Sequence, residues 1–164
     1  MQLPKKPCIK GIYRQQIKLP RLEQARLLIA WLAPGVEKLR ICYALDLLSV
    51  ILAGGRASRL IADLRENSQL VNGICSSFSL QQQSGLFTIN AWLESKQLES
   101  VEKLIRLHLE QLISQEITEQ ELNRAKRILC NDYAFSTETP NQLAGLYGYY
   151  NTIASAELSV IYPK

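Results

Sequence analysis

From Val36 to Ala53 the chain is apolar on almost every side of a helix, and two adjacent glycines then end the run. Leu39, Cys42, Tyr43, Leu45, Leu48 and Leu52 recur at helical spacing, while Ile41, Leu47, Val50 and Ile51 fill the positions between them. So little polar surface predicts the most buried helix of the fold. Gly54-Gly55 is a strong stop, because glycine enters the left-handed cap conformation without a Cβ clash. Ser58 is then placed to cap a new helix whose inward positions are Leu60, Ile61 and Leu64. The result is a sharp corner carrying Arg56, Arg59 and Arg65. A phosphate-binding loop is excluded there, since that motif needs a strand before the glycines and a lysine followed by Ser or Thr after them.

Elsewhere the pattern alternates between strands and helices. Ile12 to Leu19 reads as a first strand stopped by Pro20, following an irregular leader broken by Pro4 and Pro7. Gln24 to Leu32 is apolar on both faces and is expected to lie centrally in a sheet. Pro34-Gly35 turns the chain into the apolar helix. Leu70 to Leu80 and Gly85 to Leu93 read as a hairpin joined through Gln81-Gln82-Gln83-Ser84, with Phe87, Ile89, Ala91 and Leu93 sharing one face. Three helices follow. The first spans about Leu98 to Ser114 with an apolar stripe that includes His108. The second starts at a capping box of Thr118 and Glu121, with Ile117 and Leu122 placed as a staple. The third starts at Thr139, Pro140 and Gln142, with Leu143, Leu146, Tyr147, Tyr150 and Ile153 expected inward and Gly145 and Gly148 expected to admit a close neighbour. The fold class is therefore α+β, an antiparallel or mixed sheet with helices packed on one face. Residues 1–20 are read as a basic leader and first strand, and 21–164 as a single domain.

Charge and cysteine content narrow the function. Six basic residues, Lys5 to Arg21, precede the first acid, and the remaining 13 of 19 face 15 acidic ones, so the body is nearly neutral. The arm has one aromatic residue and no dense basic cluster, which argues against nucleic acid. No run approaches the ~20 apolar residues of a membrane span, and no secretory signal is visible. Cys8, Cys42, Cys75 and Cys130 are scattered, with neither metal-ligand nor disulfide spacing, so the cytoplasm or another reducing compartment is expected. His108 is the single histidine, and its place on an apolar stripe reads as a satisfied core residue.

Several segments together carry a family likeness: Gly54-Gly55, Ser58-Arg59-Leu60, Leu64-Arg65-Glu66, Gly85-Leu86-Phe87, Ile117 to Lys126, and Glu138 to Ala144. In this order they resemble the second, non-zinc-binding domain of the pitrilysin/insulinase-type zinc peptidases, which include the mitochondrial processing peptidases. The resemblance implies that zinc, the family's cofactor, is bound by an H-x-x-E-H helix in a domain absent here, and that this chain holds no metal or catalytic residue of its own. It also implies a partner half in which an arginine and a tyrosine seven residues later polarise the scissile carbonyl. Arg65 matches that arginine, but Asn72 stands at the tyrosine position. Arg65, Asn72 and Arg59 are thus candidates for substrate or partner contact, against a structural role for the arginine. The family's second domain usually opens with an earlier strand and helix, so this chain resembles an N-terminally incomplete domain. The expected function is a non-catalytic chamber wall for peptide substrate, with a zinc-bearing peptidase chain or a second copy as partner. The alternative is a stand-alone interaction module that captures an extended peptide at an open sheet edge.

Overall fold

A computed structural model describes residues 9–161. Three strands, β1 (Ala25–Pro34), β2 (Gly73–Ser79) and β3 (Ser84–Leu93), form one antiparallel sheet in the order β1-β3-β2. The helices are α1 (Leu39–Ala53), α2 (Leu98–Ser114), α3 (Glu119–Ser136), α4 (Pro140–Ile153) and the short α5 (Leu158–Ile161). A π-helix, Ile61–Asn67, follows the glycine corner.

Side-chain alternation in β3 sets the inner face of the sheet. Phe87, Ile89, Ala91 and Leu93 are buried, and Ile29 and Leu27 of β1 and Ile74 of β2 stand opposite them on that same face. Leu52, Leu60, Leu64, Val101 and Ile105 close over this layer from α1, the corner, the π-helix and α2, making the main core. On the outer face the residues alternate into solvent. Leu28 is 63% exposed and Leu32 37%, with Leu86 beside them. Two smaller clusters fasten the later helices to α1: Val50 and Ile51 against Ala125, and Cys42 with Leu80 against Tyr150 and Ile153.

The expected strand at Ile12 to Leu19 does not form. That segment makes no ladder, and its apolar side chains stand in solvent, Ile12 at 87% exposure; a segment that buries no apolar face gains too little to offset the entropy of ordering it as a strand. The strand expected at the centre of the sheet is an edge. Leu28 and Leu32 gave it two apolar faces in sequence, but only one face is covered, and β3 occupies the centre. The expected Leu70 to Leu80 strand is shorter, because the Leu70 and Val71 amides both donate to the Leu64 carbonyl and close the π-helix instead. A 3₁₀ turn, Val36–Lys38, precedes α1.

Both capping boxes form as expected, at Thr118 with Glu121 and at Thr139 with Gln142. In α4, however, Tyr147 is exposed, and Gly145 and Gly148 have no atom near the place a Cβ would occupy. This helix touches the body along a narrow line through Tyr150 and Ile153 rather than by a close helix crossing.

Candidate functional site

The glycine corner gathers most of the charged side chains singled out from the sequence. Gly54 donates its N–H to the Val50 carbonyl at 2.7 Å, and Gly55 takes φ +99°, where a Cβ is strained. Ser58 is buried, but it does not cap as expected. Its hydroxyl donates backward to the Gly55 carbonyl at 2.6 Å, while its own carbonyl accepts from Ala62. The helix that follows widens so that the Ser68 N–H reaches the carbonyl five residues back, on Asp63.

Each arginine of the corner has a carboxylate partner. Glu66 is held between two of them, accepting from Arg56 Nη2 at 2.7 Å on one oxygen and from Arg65 at 2.7 and 2.9 Å on the other. Its acidity is increased, first by the hydrogen bond from Arg56 and then by that from Arg65. Arg59 makes a two-pronged contact with Glu121, Nε to Oε1 at 2.6 Å and Nη2 to Oε2 at 2.9 Å. Glu121 is also the third residue of α3, where it accepts the Thr118 backbone N–H. Arg59 first, together with these cap bonds, lowers the Glu121 pKa to about 2.

The three nominated contact residues are therefore not drawn into one site. Arg59 is a tether between the corner and α3. Arg65 is spent on its neighbour Glu66 and stays partly exposed. Asn72 is exposed, and its backbone N–H donates to the Trp92 carbonyl at the start of the β2–β3 ladder. Among the described residues no hydrogen bond or ion pair joins Arg65 to Asn72.

Two features were not legible in the sequence. His108 of α2 sits mostly buried with Nε2 2.7 Å from Asp63 Oδ2, a partner 45 residues away that only the fold supplies. Ser68 donates to the other Asp63 oxygen at 3.3 Å. The order Ser–Asp–His is wrong for nucleophile activation, which needs the imidazole between the hydroxyl and the acid; the arrangement clips the π-helix to α2. The other feature is a cavity of about 370 Å³ lined by Asp46, Phe78, Ser79, Leu80, Gln81, Tyr149 and Tyr150.

A catalytic zinc needs three protein ligands around an open position. Among the described residues no three His, Cys, Asp or Glu side chains are grouped to hold a metal, and the His108–Asp63 pair supplies two donors at most, so the donor set does not fit. Cys42, Cys75 and Cys130 are unpaired thiols; Cys8 lies outside the described residues. No described helix is long and apolar enough to cross a membrane.

Residues 2–129 match the family described as the Peptidase M16 inactive domain. The chain belongs to that family. The M16 inactive domain seen here is similar to an uncharacterised zinc protease of Bacillus subtilis, YmxG, at 32% identity over 119 residues, which is 73% of this chain and 29% of the relative. Among solved structures it resembles a protease from Helicobacter pylori, with a TM-score of 0.77 at 23% identity over 88% of this chain and 35% of that one. It also resembles a peptidase M16 inactive domain from Pseudomonas fluorescens, with a TM-score of 0.69 at 27% identity over 85% of this chain and 34% of that one. The chain thus spans about a third of the length of these relatives.

Proposed function

We propose that residues 21–164 form the non-catalytic domain of a zinc metalloendopeptidase assembly, preceded by a basic leader at 1–20. In this reading the domain walls the chamber and contacts the peptide substrate or a partner, and zinc is carried by another domain or chain. The family match over residues 2–129 carries the proposal. The outer sheet face, where Leu28, Leu32 and Leu86 are exposed, supports it as a surface for another body. Unpaired thiols at Cys42, Cys75 and Cys130 accord with a reducing compartment.

The test pairs the purified chain with a zinc-bearing half, recognised by H-x-x-E-H in a neighbouring reading frame. Metal analysis and cleavage of an unfolded peptide are measured for the chain alone and for the mixture. The chain alone is expected to hold no stoichiometric zinc and to cleave nothing, while the mixture forms a complex with chelator-sensitive activity. One equivalent of tightly held zinc with cleavage by the chain alone refutes the proposal. A second reading, capture of an extended peptide by strand addition, draws on the outer edges of β1 and β2, each paired on one side only among the described strands. Binding of an extended peptide without any zinc-bearing partner favours it.

A further inference from the structure

Residues 12–19 run between a bend at Gly11, φ +86°, and a turn in which the Leu22 N–H donates to the Leu19 carbonyl at 3.1 Å. We propose that this segment is a strand donor, which pairs with the open sheet edge of another protein whose edge strand alternates acidic with apolar residues. Its own sequence alternates. Tyr13, Ile17 and Leu19 fall on one side of an extended chain, with Gln15 among them, and Arg14, Gln16 and Lys18 on the other, which Ile12 opens. Eight residues punctuated by a glycine and a proline have the length and bounds of an ordinary strand. Their apolar side chains nevertheless face water, Tyr13 at 78% and Ile17 at 67% exposure. With Ile9, Ile12, Leu19 and Leu22 they make six exposed apolar side chains between Ile9 and Leu22, a concentration that marks an interaction surface.

Charge decides the kind of partner. From Met1 to Leu22 the sequence holds Lys5, Lys6, Lys10, Arg14, Lys18 and Arg21 and no Asp or Glu. Arg14 shows how such a cation is met inside the fold. It pairs with Glu102 of α2, which also accepts from Arg106 Nη2 at 2.9 Å, and the pair holds the segment beside the body. Lys10, Lys18 and Arg21 are exposed. A second copy of this chain does not supply their counter-charge. Two such segments side by side would set the Arg14 and Lys18 charges of one against those of the other, and like charges across a ladder destabilise it. The edge strands β1 and β2 carry Arg26 and no acid. An acidic and apolar edge on a different protein satisfies both faces at once, carboxylates beside Arg14 and Lys18 and apolar side chains beside Tyr13, Ile17 and Leu19, while the backbones supply the ladder. The layer that the segment lacks within this fold is then provided by the partner's sheet. Capture of a peptide at β1 or β2 makes this sheet the acceptor; here the chain is the donor. The assignment rests on this segment and not on the peptidase reading, so failure of the cleavage experiment leaves it standing.

The test is an NMR titration of the full chain with disulfide-closed hairpin peptides, whose two strands and the donated one make the smallest sheet that is stable by itself. One hairpin alternates glutamate with valine along its outer strand, a second lysine with valine, and a third threonine with valine. Saturable shifts of the amides of residues 12–19 are expected with the glutamate hairpin, and hydrogen exchange of every second one of these amides should slow. The threonine hairpin is expected to bind about fivefold more weakly, and the lysine hairpin not at all. N-methylation of the outward amides of the glutamate hairpin removes its ladder donors and should abolish binding. Lys18→Glu alters an exposed side chain, so Tm should hold while the glutamate hairpin binds about fivefold more weakly and the lysine hairpin gains. No saturable shift with the glutamate hairpin overturns the proposal, and shifts with phosphatidylserine vesicles in that case make the segment a membrane contact instead. The proposal is equally overturned by a lysine hairpin that binds as the glutamate one does, by an N-methylated hairpin that binds unchanged, or by shifts confined to β1 or β2.

Discussion

Arg59→Ala tests whether the glycine corner is a structural tether. The side chains of Arg59 and Glu121 are each 17% exposed and meet through two hydrogen bonds. Glu121 falls from its ordinary 4.5 to about 2 in the folded chain, a difference equivalent to about 3 kcal/mol at 1.36 kcal/mol per unit as an upper bound. Part of that belongs to the Thr118 cap bonds, and solvent screens the pair further, leaving about 1–2 kcal/mol for Arg59. For a domain of this size the substitution is expected to lower Tm by about 3–8 °C. The pH dependence carries the diagnostic sign. A carboxylate whose pKa is depressed on folding contributes stability fully above its unfolded value and loses it as pH falls through the folded value. The gap between parent and Arg59→Ala, measured by urea unfolding, should therefore be constant above about pH 5, shrink below the ordinary 4.5 and close near 2. A double-mutant cycle with Glu121→Gln should return a coupling of about 1 kcal/mol. A coupling below about 0.3 kcal/mol, or a gap that persists unchanged at the acid end, would refute the tether.

Three further outcomes follow from the geometry. Gly54→Ala puts a Cβ 2.4 Å from Val50 Cγ1 and 2.6 Å from the Val50 carbonyl oxygen, so calorimetry should show a loss of at least ~2 kcal/mol from overpacking and displaced backbone. Ile89→Ala on the buried face of β3 should cost about 2–5 kcal/mol, and Thr88→Ala on the opposite face under ~1 kcal/mol, in chemical denaturation; equal costs would contradict the one-sided sheet. The uncovered Leu28 and Leu32 should make the isolated chain self-associate with concentration in light scattering, and Leu28→Lys should reduce this with little change in Tm.

What could be read from the sequence was local. Helix starts at Thr118 and Thr139 follow from three-residue capping signals, and the inner face of β3 follows from strict alternation of Phe87, Ile89, Ala91 and Leu93. What failed depended on neighbours. Whether Leu28 is covered is decided by what lies across the sheet, and whether residues 12–19 make a ladder is decided by whether their apolar side chains find a surface to pack on, so neither is written in the segment itself. The candidate site shows the same division. Arg59 and Arg65 were visible as charges on a corner, yet the partner of Arg59, Glu121, lies 62 residues further along the chain. Asp63, which meets His108, carried no spacing signal because 45 intervening residues separate the pair. The cavity lined by Asp46, Phe78 and Tyr150 draws its walls from α1, the hairpin and α4, three segments with no common motif.

The strand at the centre of the sheet is the last of the three to leave the ribosome. Among the described residues β1 and β2 are not paired with each other; every ladder either of them forms is with β3, and Ile29 meets a partner, Ile89, sixty residues further along the chain. Until Leu93 has been synthesised, β1 is an apolar segment with no edge to pair with, and α1 has no sheet to lie on. Closing so long a loop before any pairing energy is gained slows folding. For as long as it lasts, β1 and the apolar α1 are surfaces that another nascent chain or a chaperone can occupy. Misassembly of this domain is therefore expected to be set by the interval between the emergence of Ala25 and that of Leu93 more than by the stability of the finished fold.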